Sequence, residues 1–75
     1  MNFFYLEEGE KIRYRVSVFW VSGTIDRCFF ASKDKAQDFF NKSKAGGNLG
    51  RRIDRVTLYK EFGNGAILAD WQKNK

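Results

Sequence analysis

The sequence predicts an α+β protein forming one small domain, residues 1–75: an antiparallel sheet of four to five strands with one amphipathic helix packed on one face. Three observations predict it. Ile12, Tyr14, Val16, Val18 and Trp20 alternate without a break, the mark of a half-buried strand, because successive side chains point to opposite faces. Ala36, Phe39, Phe40 and Ser43 follow at helical spacing behind Ser32, a residue suited to cap a helix start. Val56 and Leu58 alternate with Arg55, Thr57 and Tyr59, and this run ends in Phe62-Gly63-Asn64-Gly65, where Asn-Gly is a strong hairpin signal.

In chain order, Asn2 to Leu6 is a short apolar strand and Glu7-Glu8-Gly9-Glu10 the turn after it. A two-residue turn at Glu8-Gly9 would set Tyr5 opposite Ile12 and Phe3 opposite Tyr14, so that the first strand pairs with the long second one; a longer loop is the alternative. The second strand should be central, and its other face carries Lys11, Arg13, Arg15, Ser17, Phe19 and Val21. Ser22-Gly23 then reverses the chain. A two-residue turn would put Ile25, Arg27 and Phe29 on the core face. A three-residue loop would put Asp26, Cys28 and Phe30 there, and it is preferred because Phe30 then stands two residues before the helix cap. That register places Phe19 opposite Arg27, within reach of a cation–π contact.

The helix spans residues 33 to 45, with Asp34 in its first turn and Lys42 and Lys44 in its last, both matched to the helix dipole. Gly46 and Gly47 stop it. Ala-Gly-Gly-Asn-Leu-Gly, residues 45 to 50, is a reversing loop and not a phosphate cradle, since it follows a helix and lacks the Gly-Lys-Ser/Thr pattern. Arg52 to Glu61 is the next strand, where Ile53 is out of phase and implies a bulge or a late start. Ala66 to Trp71 returns as a last strand, or as a short helix, and Gln72 to Lys75 should fray.

Composition narrows the function classes. Eight Phe, three Tyr and two Trp let few residues build a core in a small chain. The single cysteine, Cys28, allows no internal disulfide, and there is no histidine to activate it or to complete a zinc set. No paired carboxylates are placed at a cleft by their spacing, so neither an enzyme nor a bound metal or cofactor is expected. No apolar run reaches the roughly 18 residues that span a membrane, and the N-terminus is not built like a signal peptide. A cytoplasmic protein, monomeric or weakly dimeric through an exposed edge strand, is the expectation. The net charge of +5, from 14 basic against 9 acidic residues, favours anionic partners. It is uneven: Glu7, Glu8 and Glu10 form an acidic tip, whereas Arg51, Arg52 and Arg55 form a basic cluster.

Glu7-x-Gly9-x-Lys11-Ile12-Arg13-x-Arg15-Val16, then Phe30-x-Ser32, Phe39-Phe40 and Leu49-Gly50-Arg51, resemble the layout of small phage-encoded proteins and are similar to a type I-F anti-CRISPR family. The resemblance covers residues 6 to 51. Val56 to Tyr59 and the Asn64-Gly65 turn depart from it, and Leu6 and Ser17 stand where that family's aromatic and acidic contact residues would be, so no contact residue carries over. The resemblance implies a small phage or mobile-element protein that binds and blocks a host macromolecule in the host cytoplasm.

Two readings of the surface follow. In the first, the chain is a non-enzymatic inhibitor that binds a host protein or protein–nucleic-acid complex through the outer sheet face: Arg13, Arg15, Phe19 and Val21, with Phe4 as a further candidate. Exposed aromatic residues beside arginine are the composition of interface hot spots. In the second, the strand aromatics stack bases while Arg13, Arg15, Arg51, Arg52 and Arg55 hold phosphates.

Overall fold

The computed structural model describes residues 2–5, as backbone, and residues 11–73. Within these residues six elements follow one another: β1 (Asn2–Tyr5), β2 (Tyr14–Trp20), β3 (Ile25–Phe30), α1 (Lys33–Asn48), β4 (Ile53–Lys60) and β5 (Ala66–Gln72). The strands form one sheet in the order β1-β3-β2-β4-β5, antiparallel from β3 through β5. α1 packs across β4, β2 and β3 on one face, which makes the fold α+β. The last apolar run is a strand, not a helix, because β4 offers it an edge.

The alternation in β2 does what its period requires. Val16 and Val18 enter the core beside Cys28 and Phe30 of β3 and Ile53, Val56 and Leu58 of β4. Ala36 and Phe40 close this core from the helix, while Tyr14, Trp20, Phe39, Ala69 and Trp71 pack around it. The three-residue-loop face assignment holds: Val16 lies opposite Cys28 and Val18 opposite Asp26. The reversal itself is shifted one residue toward the N-terminus, however, with Trp20 and Thr24 closing a loop of Val21, Ser22 and Gly23. The Trp20 amide donates to the Thr24 carbonyl at 2.9 Å. Phe19 therefore faces Ile25, and Arg27 faces Ser17.

The out-of-phase Ile53 is resolved by a bulge. Phe19 pairs with Arg55 but Trp20 with Ile53, so Asp54 drops out of register and Ile53 turns inward. A second bulge, at Leu68, lets Ala69 and Trp71 face the core while Ile67 pairs with Tyr59.

Two expectations are corrected. β1 does not form a hairpin with β2; it pairs in parallel with β3, Phe3 opposite Cys28 and Tyr5 opposite Phe30. Both edges of β2 are taken, by β3 on one side and β4 on the other, and the longer pairings with valines opposite buried partners leave the four-residue β1 only an outer edge. The turn at Glu7-Glu8-Gly9-Glu10 and its acidic tip lie outside the described residues, as do Leu6 and the final two residues. The second correction concerns α1, which runs through Gly46 and Gly47 to Asn48 and is capped at Leu49. Gly47 is buried, and a Cβ there would fall on the Trp71 indole; the glycine admits the ring instead of ending the helix. Lys42 and Lys44 consequently lie inside the helix, not in its last turn. At the other end Ser32 caps as expected, its Oγ accepting from the Lys35 amide at 3.5 Å.

Candidate functional site: the uncovered sheet face

Covering one face with α1 leaves the other face of the described strands without a helix. The register lays its residues out in three rows across β3, β2, β4 and β5: Phe29-Arg15-Tyr59-Ile67, then Arg27-Ser17-Thr57-Asp70, then Ile25-Phe19-Arg55-Gln72. Ser17 and Thr57 form the low middle, only 7% and 8% exposed, because long side chains stand on both sides of them. The face is therefore a shallow dish with a polar floor and a wall of arginines and rings.

Two arginines are clamped there. Arg15 lies over the Tyr59 ring at 4.7 Å, with its Nε 3.1 Å from a Glu61 carboxylate oxygen, at ion-pair distance but off the axis of a hydrogen bond. Arg55 lies 5.7 Å from the Phe19 ring centre, and its Nε donates to Asp70 Oδ1 at 2.8 Å. The same oxygen accepts from the Thr57 hydroxyl at 3.0 Å, while Asp70 Oδ2 accepts from Gln72 at 3.0 Å. Partial burial alone would raise the Asp70 pKa; the hydrogen bonds from Arg55, Gln72 and Thr57, with the charge of Arg55, hold it below the ordinary 3.8. Each ring lends its negative face to a guanidinium, and each guanidinium has a carboxylate within ion-pair distance.

Of the residues singled out from the sequence, Arg15, Phe19 and Arg55 meet on this dish. Arg13 stands just before β2 at one end, 5.3 Å over Phe62, a ring that also receives Lys60 Nζ at 5.1 Å and the edge of Tyr14 at 5.6 Å. Val21 lies in the reversal at the opposite end, 60% exposed, its amide donating to the Arg52 carbonyl. Arg51 and Arg52 do not join Arg55: they precede the bulge at Asp54, and Arg51 lines a cavity on the helix side. Tyr59 and Arg27 belong to the dish and were readable from alternation. Asp70 and Glu61 were not, because their places depend on the bulged register of β5 and on the Phe62–Gly65 turn.

Other chemistry on the molecule is sparse. Among the described residues no group of His, Cys, Asp and Glu could hold a metal ion. Burial, helped by the Asp26 charge, pushes the Cys28 thiol up to about 11, so it stays protonated at neutral pH. Among the described residues no helix is long and apolar enough to cross a membrane. No family model, curated protein or solved structure matches the chain.

Proposed function

We propose that the chain is a non-enzymatic binding protein whose uncovered sheet face docks on a host protein and blocks it, as its resemblance to small phage-encoded inhibitors implies. One observation supports this above the rest: Arg15 and Arg55 are each held between a ring and a carboxylate, with their rotamers set before any partner arrives. Arginine and tyrosine dominate interface hot spots, and side chains ordered in advance lose less entropy on association. The same clamps disfavour the nucleic-acid reading. Phe19 and Tyr59 already carry guanidinium groups, which compete with stacked bases, and both guanidiniums already have carboxylates beside them, which weakens attraction to phosphate.

Capture from nuclease-treated host lysate tests the reading against a double variant, Arg15→Ser with Arg55→Ser. Both arginines are partly exposed, and such pairs contribute roughly 0–1 kcal/mol each to folding, so the variant stays folded. The native chain should retain one protein in stoichiometric amount and the variant should lose it. Retention by both, or by neither, removes this face as the site. Titration with single-stranded and double-stranded oligonucleotides at about 50 mM salt supplies the opposing outcome: tight binding that falls steeply with salt would replace the protein partner with nucleic acid.

A further inference from the structure

On the other side of the sheet, under the second half of α1, lies a cavity of about 340 Å³. This is near the small end of the range for ligand sites, which starts at roughly 300 Å³. Its floor is apolar: Val18 and Ile53 line it, both nearly fully buried. Cys28 adds a thiol that burial keeps neutral. Two rings, Trp20 from the end of β2 and Phe39 from α1, stand half-buried along its sides. Such a floor binds water poorly and accepts a planar apolar body well.

The polar groups are placed asymmetrically. On the sheet side, Asp26 accepts a hydrogen bond from Trp20 Nε1 at 2.9 Å, which fixes the indole and puts a carboxylate at that end. On the helix side stand Lys42 and Arg51. Lys42 is already paired with Asp38 at 3.0 Å. Arg51 has no carboxylate partner among the described residues, and its backbone is pinned where its amide donates to the Gly46 carbonyl at 3.1 Å. An anionic group is therefore attracted at the Arg51 end.

We propose that this cavity is a binding site for a small aromatic monocarboxylate, its ring system between Trp20 and Phe39 and its carboxylate on the Arg51 guanidinium. The proposal is independent of the outer face, which lies on the opposite side of the sheet. A planar, forked guanidinium suits a carboxylate better than a point charge does.

The probe is 1-naphthoate, with the cation 1-naphthylmethylamine as its charge-reversed control, followed by amide ¹H–¹⁵N spectra of the whole chain. The naphthoate should bind saturably, with shifts at Val18, Cys28, Ser43 and Ile53 and none at Tyr59 or Asp70. The amine should bind at least tenfold more weakly. Arg51→Gln should cost naphthoate about tenfold in affinity, in line with the loss of a charge-assisted hydrogen bond; Arg51→Lys should recover part of it. Equal binding of acid and amine by the native chain would reduce the site to nonspecific apolar partitioning. Unsaturable shifts, shifts centred on the other face, or unchanged affinity in Arg51→Gln would each overturn the proposal. The acid–amine comparison needs no variant, so the test does not depend on Arg51→Gln folding.

Discussion

At the scale of single residues, two neighbouring glycines make opposite predictions. Ala is favoured over Gly in a helix interior by about 0.8–1 kcal/mol, so both positions should gain from a methyl on propensity alone. At Gly47 that methyl would stand 2.7 Å from Trp71 Cζ3, against a large ring packed on the core. At Gly46 it would stand 2.9 Å from Arg51 Cδ, on an exposed chain that can swing aside. Gly47→Ala should thus destabilise by about 1–3 kcal/mol, the usual cost of overpacking, whereas Gly46→Ala should be neutral or stabilise. Urea unfolding of the two variants decides it; equal effects would mean that Trp71 does not pack on the helix as described. Cys28 supplies a pH dependence. Its folded pKa of about 11 lies above the ordinary 9.0, so the protonated thiol stabilises the fold below pH 9. Between these values the unfolded chain has released its proton while the folded chain keeps it, so that stability falls as pH rises, by roughly 2–3 kcal/mol in all. The stability gap between the native chain and Cys28→Ala should narrow between pH 8 and pH 11; a gap that stays constant would place the thiol in contact with water.

At the scale of elements, α1 is attached to the sheet chiefly by Phe40, 4% exposed, with Ala36 beside it. Phe40→Ala should cost about 3–5 kcal/mol, the range for a core aromatic. A small domain has only about 5 kcal/mol of stability in total, so the variant should be largely unfolded at room temperature by circular dichroism. The β4–β5 pair depends on Asp70, which ties Arg55, Thr57 and Gln72 together across the outer face. Its lowered pKa contributes stability that is present above the ordinary 3.8 and is lost as pH falls through the folded value. Asp70→Asn should accordingly be less stable than the native chain at neutral pH and should approach it in acid. Denaturation at pH 7 and pH 3 reads this out, and a gap that persists in acid would assign the loss to packing and not to charge.

At the scale of the whole molecule, the described residues share one core, to which both tryptophans attach from different strands: Trp20 from β2 and Trp71 from β5. Unfolding should therefore be a single cooperative transition, as is usual for small domains. Fluorescence melts of Trp20→Phe and Trp71→Phe, each reporting the remaining indole, should coincide with the far-ultraviolet signal; separated midpoints would divide the sheet into independent halves. The same scale sets the candidate site. Helix α1 covers one side of the sheet only, and the three rows on the other side exist because β3, β2, β4 and β5 are held in one register.

Features that depend on local periodicity and caps are legible in the residue order alone. The core valines of β2, the Ser32 cap and the phenylalanine stripe of the helix follow from residue chemistry over a few positions, and the structure contains each of them; the phase of Ile53 left a bulge and a late strand start open, and the structure has the bulge. Arg15, Phe19 and Arg55 were legible as outward-facing for the same reason. Which strand lies beside which is set by the assembly of the whole sheet. Alternation says which side of a strand is buried but is silent about its neighbours; β1 pairs with β3 because β2 has no free edge. The helix outruns its glycines because Trp71, twenty-four residues after Gly47, needs the space a side chain would fill. Asp70 reaches Arg55 only through the bulge at Leu68. These are contacts between residues far apart in the chain, and their free energy arises only once the whole sheet has formed.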